Sequence, residues 1–237
     1  MITKKVGIIG GVGPQSTNYI YKKIIQFSQS KYGAKNNADY PRLVIESVPV
    51  PDFISNKNNI EIAKEMLIDA TKSLSKSGAT RLCIGSNTVH ILLETLSKYT
   101  KVPFLSMIDL VVKSCVRNKY KKVGIVGTPV LINSGLYAKE FAKSGIETIV
   151  PNDEQMKIVE KVIRDVLAGS KNSEHENSYI KVLDSLLKKG CEVVILGCTE
   201  LPLVMDYKVF KNKTISSDDI LAEGIVDYYY NKTKYYR

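Results

Sequence analysis

The sequence lacks the long apolar segments and the leader by which membrane and secreted proteins are recognised. Its longest apolar runs, such as Val193–Leu196, are far shorter than the roughly 20 residues that cross a bilayer. The first residues lead directly into an apolar segment and a glycine loop, without the layout of a signal peptide. We therefore expect a cytoplasmic protein that does not associate with membranes.

Cysteine and histidine are scarce, and their spacing does not suit a metal. The four cysteines form no Cys-x-x-Cys pair, and neither His90 nor His175 stands at zinc-site spacing from a cysteine. This pattern argues against a disulfide scaffold, and we expect no metal. We interpret Cys83, Cys115 and Cys191 as reduced, buried small hydrophobes and His175 as an exposed residue of a polar loop.

Acidic residues are fewer than basic ones, but the basic residues form no dense patch. There are 34 Lys and Arg against 24 Asp and Glu, a net charge of +10, and the basic runs are short, as at Lys4-Lys5. Short runs of this kind are usually solvated faces, so we expect no nucleic-acid partner. The positive balance is compatible with an anionic small substrate.

Short apolar segments alternate with amphipathic ones along all 237 residues. The predicted strands are 6–9, 42–48, 81–85, 102–105, 123–126, 147–150, 192–196 and 214–216. The predicted helices are 17–30, 59–77, 88–98, 108–117, 131–143, 154–167, 176–189 and 218–230. Strands that alternate with helices are typical of βαβ units, so the sequence predicts an α/β fold with parallel sheets.

A repeat divides the chain into two similar halves. The segment KKVGIIG at 4–10 recurs as KKVGIVG at 121–127, and GATRLCIGS at 78–86 recurs as GCEVVILGC at 190–198. Such repeats predict two similar α/β domains related by a pseudo-two-fold axis. We assign the first domain to 1–117 and the second to 118–217, with a C-terminal helix at about 218–237 that packs back on the first.

The repeat aligns Ser86 with Cys198, each just past the carboxyl end of a predicted strand. Ligands of open α/β sheets bind outside these strand ends, so we expect the two side chains on opposite sides of one cleft. A helix start behind each turn would bind a carboxylate and lower the pKa of a nearby thiol. This predicts Cys198 as a partly ionised base and favours a substrate with two carboxylates.

A glycine-rich turn, GGVGP at 10–14, follows the first predicted strand. It lacks the third glycine of a dinucleotide-binding fingerprint, and Glu46, the nearest strand-end acid, stands too far along the chain. We therefore expect no nicotinamide cofactor. An anion-binding loop and a tight turn without a ligand both remain open.

Three motifs resemble the aspartate/glutamate racemase family. They are GIIGGVGP at 7–14, SNTVH at 86–90 and GCTELP at 197–202, in matching order over essentially the whole chain. Glutamate racemases of cell-wall synthesis usually carry His where this chain has Glu200, so the resemblance favours the aspartate racemase branch. It implies two pseudo-symmetric α/β domains with the active site between them, no cofactor, a homodimer, and a small dicarboxylic amino acid as substrate.

The chain departs from that family at one catalytic position. Members usually place two cysteines on opposite faces of the substrate α-carbon, whereas here Ser86 stands at the first position and Cys198 at the second. The resemblance implies that Cys198 is the thiolate base. Ser86 would donate a proton or hold a water, because a hydroxyl needs a second base to become one itself. The expected substrate-binding residues are Val12, Gly13, Ser16, Ser47, Asn87, Thr88, Thr199 and Glu200.

Some supporting roles stay open at this point. Glu200 either orients the substrate ammonium or caps the following helix, and His90 either serves the site or is structural. The segment 49–59, rich in Pro and Asn, is a candidate lid.

Three functions also remain open. The first is a racemase that works faster from the enantiomer whose α-proton faces Cys198, which by the resemblance is the L-enantiomer. The second is a single-cysteine decarboxylase or isomerase of small dicarboxylates, and the third is a catalytically weak dicarboxylate-binding protein.

Overall fold

The computed structural model describes residues 4–52, 55, 58–170, 172–204, 210 and 212–230. The first half contains β1 (Val6–Gly10), α1 (Pro14–Tyr32), β2 (Leu43–Ser47), α2 (Ile60–Lys76), β3 (Arg81–Ile84), α3 (Leu93–Ser97), β4 (Phe104–Leu105) and α4 (Met107–Arg117). The second contains β5 (Lys122–Val126), α5 (Pro129–Ser134), α6 (Leu136–Ala142), β6 (Glu147–Ile149), α7 (Asp153–Leu167), α8 (Ser173–Lys188), β7 (Val193–Leu196), β8 (Thr214–Ser216) and α9 (Ser217–Tyr229). Short 3₁₀ helices lie at Asn37–Asp39, Thr88–Leu92 and Leu201–Leu203.

The strands form two parallel four-stranded sheets with the same topology. The order is β2-β1-β3-β4 in one sheet and β6-β5-β7-β8 in the other. Each strand of the first half therefore has a counterpart in the second, and every described pairing is parallel. The predicted α/β fold with two similar parallel sheets is confirmed.

The structure separates into two compact units. The first takes in the described residues of 1–51, 60–110 and 218–237, and the second those of 52–59 and 111–217. These units divide within α4, after Leu110, whereas the predicted domain boundary lies just past that helix, after residue 117. The domain assignment itself stays a prediction.

The core of the first unit is completed by the last helix, α9. Its residues Leu221, Ala222, Ile225 and Val226 are fully buried in one cluster with side chains of β1, β3, α1 and α4. Such burial removes apolar surface from water and is worth about 1.5–3 kcal/mol for each large side chain. The C-terminal helix is thus part of this core.

Polar contacts join α9 to α1 along the edge of that core. Lys31 pairs with Glu223 and Asp227, and the Tyr32 hydroxyl donates to Asp227 at 2.7 Å. The Tyr32 ring also stacks on Tyr230, with 4.3 Å between the centroids. These contacts set the position of α9 along α1.

The core of the second unit lies between its sheet and helices α7 and α8. The cluster combines strand residues such as Val194 and Leu196 with Val162 of α7 and Leu183 of α8. Cys198 belongs to the same cluster.

Two predicted helices differ from those observed. The helix predicted at 131–143 is divided into α5 and α6 by Gly135, whose φ of 65° is left-handed and ends α5. The helix predicted at 88–98 begins as the 3₁₀ helix Thr88–Leu92 and becomes α-helical only at Leu93. Within the described residues, no helix has the length and apolar content that a membrane span requires.

The polar-loop prediction for His175 is wrong. The side chain of Asn172 accepts hydrogen bonds from the amides of Glu174 and His175, which starts α8 before His175 rather than after it. The His175 ring is partly buried, with Nδ1 2.6 Å from Oδ2 of Asp165.

Candidate active site

The turn after β3 carries Ser86 at the carboxyl edge of the first sheet. The Gly85 amide donates to the Ile9 carbonyl at 2.9 Å, which extends the β1–β3 ladder by one residue before the chain turns. Ser86, Asn87 and Thr88 follow, all buried. Within the described part of the chain, no side chain forms a hydrogen bond with the Ser86 hydroxyl.

His90 holds the backbone of this turn. Its Nε2 accepts from the Met107 amide at 3.1 Å, so the ring proton lies on Nδ1, which donates to the Ser86 carbonyl at 2.7 Å. Burial lowers the pKa of His90 from 6.5 to about 4, partly opposed by the hydrogen bond to Ser86. The imidazole is therefore neutral at pH 7 with both nitrogens bound to backbone, and it does not act as a base for the Ser86 hydroxyl.

The turn after β7 repeats this construction in the second unit. The Gly197 amide donates to the Val126 carbonyl at 2.7 Å, as Gly85 does to Ile9. A Cβ on Gly197 would lie 2.9 Å from that carbonyl oxygen, so the close approach of the two strands needs glycine. Cys198, Thr199 and Glu200 follow, all buried.

Cys198 and Glu200 form a buried pair. The Cys198 Sγ donates to Oε2 of Glu200 at 3.0 Å, and the Thr199 hydroxyl donates to the same oxygen at 2.9 Å. Glu200 is 3% exposed and Cys198 is 6% exposed. In this contact the thiol is the donor and the carboxylate oxygen is the acceptor.

The structure lacks one feature from which we expected a partly ionised Cys198, and the ionisation itself stays a prediction. We expected a helix start behind the thiol, but the turn leads into Leu201–Leu203, a single 3₁₀ turn with little aligned dipole. We also expected Glu200 to cap the following helix or to orient the substrate ammonium. Its side chain makes no cap hydrogen bond to the Leu201–Leu203 turn and contacts the thiol, while substrate binding by Glu200 stays a prediction. The Cys-x-Glu spacing in a tight turn is the feature of the sequence from which the contact between Cys198 and Glu200 could have been predicted.

The other three cysteines are free and buried, as predicted. Burial raises the pKa of the Cys83, Cys115 and Cys191 thiols, to about 12 for Cys115. Cys83 donates to the Gly7 carbonyl and has no exposed surface. None of these thiols has the environment of a nucleophile or a base.

The glycine loop after β1 is held tightly against its neighbours. Gly11 has a φ of 83°, and a Cβ there would lie 2.4 Å from the Val48 amide nitrogen. Its own amide donates to the Thr17 hydroxyl at 2.9 Å, and Gly13 then caps α1, whose first residue is Pro14. The close packing explains the glycine at position 11 without a ligand.

The predicted binding residues of the first unit lie at adjacent strand ends. Val12 and Gly13 are half-buried beside the exposed Ser47, whose Oγ lies 2.8 Å from the place a Gly11 Cβ would take. Ser16 differs, because it is fully buried and its hydroxyl donates to the Gly85 carbonyl at 3.4 Å. Ser16 thus contacts the Ser86 turn, and its role in substrate binding stays a prediction.

The candidate lid at 49–59 lies partly outside the described residues. Two of its described members contact α7: Asp52 pairs with Arg164 at 3.1 Å, and the Ser55 hydroxyl donates to Glu160 at 2.5 Å. Its role as a lid stays a prediction.

Comparison with known proteins places these turns in one family. The model of the Asp/Glu/Hydantoin racemase family matches residues 9–223 of this chain. The chain is 28% identical over 224 residues to the broad specificity amino-acid racemase RacX of Bacillus subtilis (strain 168), covering 94% of this chain and 97% of that protein.

Solved structures agree with this match. The Picrophilus torridus aspartate racemase superposes with a TM-score of 0.81 at 27% identity, covering 95% of this chain and 94% of the other. An aspartate racemase homologue from Pyrococcus horikoshii OT3 gives 0.78 at 30% identity, covering 96% and 99%. The chain therefore belongs to the Asp/Glu/hydantoin racemase family, and it is an isomerase of the racemase type.

Proposed function

We propose that this enzyme racemises aspartate, glutamate or both, without a cofactor, by moving the proton on the α-carbon. Cys198 takes the α-proton from one face as a thiolate, and Ser86 serves the other face by donating a proton or holding the water that does. The observation that carries the proposal is the equivalence of the two turns. Each follows the third strand in sheet order, each begins with a glycine bonded to the neighbouring strand, and each continues with Ser86 or Cys198.

The two faces are chemically unequal in this proposal. A thiol has an ordinary pKa of about 8.5, whereas a serine hydroxyl ionises only with the help of a base. His90 does not supply that base, because both of its nitrogens are bound to backbone. The enzyme would therefore work faster from the enantiomer whose α-proton faces Cys198, the L-enantiomer by family resemblance, while the equilibrium between enantiomers stays at one.

The remaining predicted residues would bind the substrate. Backbone amides and hydroxyls at the strand ends stabilise carboxylates and the negative charge that develops next to one of them. The proposed set is Val12, Gly13, Ser16, Ser47, Asn87, Thr88, Thr199 and Glu200. A dicarboxylic amino acid is supported by the aspartate racemase names of the structural relatives, and we further propose a cytoplasmic homodimer.

The test is loss of the α-proton signal in D₂O, followed by proton NMR. L- and D-aspartate and L- and D-glutamate are each incubated with enzyme, and the product is resolved by chiral chromatography. Exchange from both enantiomers with inverted product supports the proposal and identifies the substrate. Cys198→Ala is expected to abolish exchange, and an active Cys198→Ala variant would contradict the mechanism.

The Ser86 hydroxyl without a base also favours a second candidate, a single-cysteine decarboxylase of small dicarboxylates. Such an enzyme needs only one group that protonates a carbanion, and the Cys198 thiol, which is a hydrogen-bond donor in this structure, could be that group. Release of CO₂ from a 2-substituted malonate, together with no exchange from the four amino acids, would select this candidate instead.

A further inference from the structure

The contact between Cys198 and Glu200 bears on when the thiol becomes a base. Two acidic groups share this buried turn, with 3.0 Å between Sγ and Oε2. An ordinary carboxyl group has a pKa of about 4.3 and an ordinary thiol about 8.5, a difference of about 4 units. The thiol is thus the weaker acid of the two, in agreement with its place as the donor of this hydrogen bond.

Forming the thiolate while Glu200 stays ionised would place two negative charges 3.0 Å apart in a buried turn. A like charge at this distance and removal from water both disfavour the second ionisation. The other ionisable members of the surrounding core cluster, Tyr179 and Cys191, ordinarily carry no charge at neutral pH. The Glu200 carboxylate is in direct contact with the sulfur.

We propose that Glu200 keeps Cys198 as a protonated, unreactive thiol until a cationic group of the substrate pairs with the Glu200 carboxylate. A bound ammonium offsets the negative charge of Glu200. The Cys198 S–H bond then breaks, its electron pair stays on sulfur, and the proton passes to water. The resulting thiolate is the base that the racemase mechanism requires, so this gating step rests on the proposed function.

The described hydrogen bonds leave one oxygen of the Glu200 carboxylate for that pairing. Both described hydrogen bonds to the carboxylate, from Cys198 and Thr199, end on Oε2. Within the residues that the structure describes, Oε1 accepts no hydrogen bond. An ammonium on Oε1 would leave the thiol contact in place, and a ligand without an ammonium would not trigger ionisation.

The first experiment measures the ionisation of Cys198 without any ligand. Alkylation by iodoacetamide is followed by mass spectrometry of the peptide that contains Cys198, between pH 6 and 10. Glu200→Gln is expected to react about tenfold faster or more at pH 7, with its half-maximal rate at lower pH, because a like charge shifts a pKa by about one unit or more. Equal profiles for the wild type and Glu200→Gln would overturn the proposal.

Glu192→Gln is the matched control. Glu192 precedes the same strand, β7, at its other end and accepts from the amides of Lys121 and Lys122. Its removal is expected to leave the Cys198 profile unchanged. If Glu200→Gln does not fold, the thiolate absorbance near 240 nm decides the question on the wild type with Cys198→Ala as the blank. A formed Cys198 thiolate at pH 7 would refute the proposal.

The second experiment tests the gate. Aspartate is expected to release up to one proton per chain in weak buffer at pH 7 and to raise the thiolate absorbance, whereas succinate, which lacks the ammonium, does neither. Aspartate or glutamate bound without proton release would overturn the gating step. Absence of binding and of α-proton exchange for all four amino acids would instead overturn the proposed function, while the ligand-free alkylation result would still stand.

Discussion

Replacing His90 by phenylalanine tests whether a neutral, buried imidazole holds the Ser86 turn. Phenylalanine keeps a planar aromatic ring at this position but leaves the Ser86 carbonyl and the Met107 amide without their partner. An unsatisfied buried backbone group costs about 1–3 kcal/mol, so His90→Phe is expected to lower the free energy of unfolding by about 2–6 kcal/mol at pH 7. Urea unfolding followed by circular dichroism measures this difference.

The pH dependence of that difference is more specific than its size. Burial lowers the pKa of His90 from 6.5 to about 4. His90 therefore becomes protonated below about pH 6.5 in the unfolded chain but only below about pH 4 in the folded protein. The stability associated with neutral His90 is therefore complete above pH 6.5 and is lost as the pH falls towards 4. The loss by pH 4 is about 3 kcal/mol, and the phenylalanine variant does not suffer it.

The stability gap between the wild type and His90→Phe should thus shrink by about 3 kcal/mol from pH 7 to pH 4. Ile8→Val, in the buried core of the same unit, is the control, with a cost of about 0.5–1.5 kcal/mol that does not vary with pH. A gap for His90→Phe that stays constant over this range would refute the tautomer and burial argument.

Two further predictions concern the proposed mechanism and the last helix. Ser86→Cys, which restores a second thiol, is expected to raise exchange from the slower enantiomer and to even out the two directions, as read by chiral chromatography. Unchanged asymmetry would argue that Ser86 does not serve the second face. Leu221→Ala removes a fully buried side chain of α9 and should cost about 2–5 kcal/mol in urea unfolding. A loss below about 0.5 kcal/mol, the level of a surface substitution, would show that α9 is not part of that core.

The fold could be predicted from the sequence because its signals are local. Each signal lies within a short window of sequence: apolar strands of four or five residues, the glycines after them and the amphipathic stretches between them. Because the chain contains a repeat, each of these signals occurs in both halves. The helix predicted at 131–143 failed because a left-handed glycine cap at Gly135 can stand inside a helical pattern without interrupting its apolar spacing. His175 failed because the Asn172 cap moves the start of α8.

By itself, the sequence determined the two-sheet α/β fold, its family and the strand-end positions of Ser86 and Cys198, because strand ends and glycine turns are encoded by neighbouring residues. Only the tertiary structure decided the chemistry around them. The tautomer of His90 depends on the Met107 amide, which belongs to another element. The proton on Cys198 depends on a turn folding so that the Glu200 carboxylate meets sulfur in a buried place, and distance and burial are properties of the folded chain.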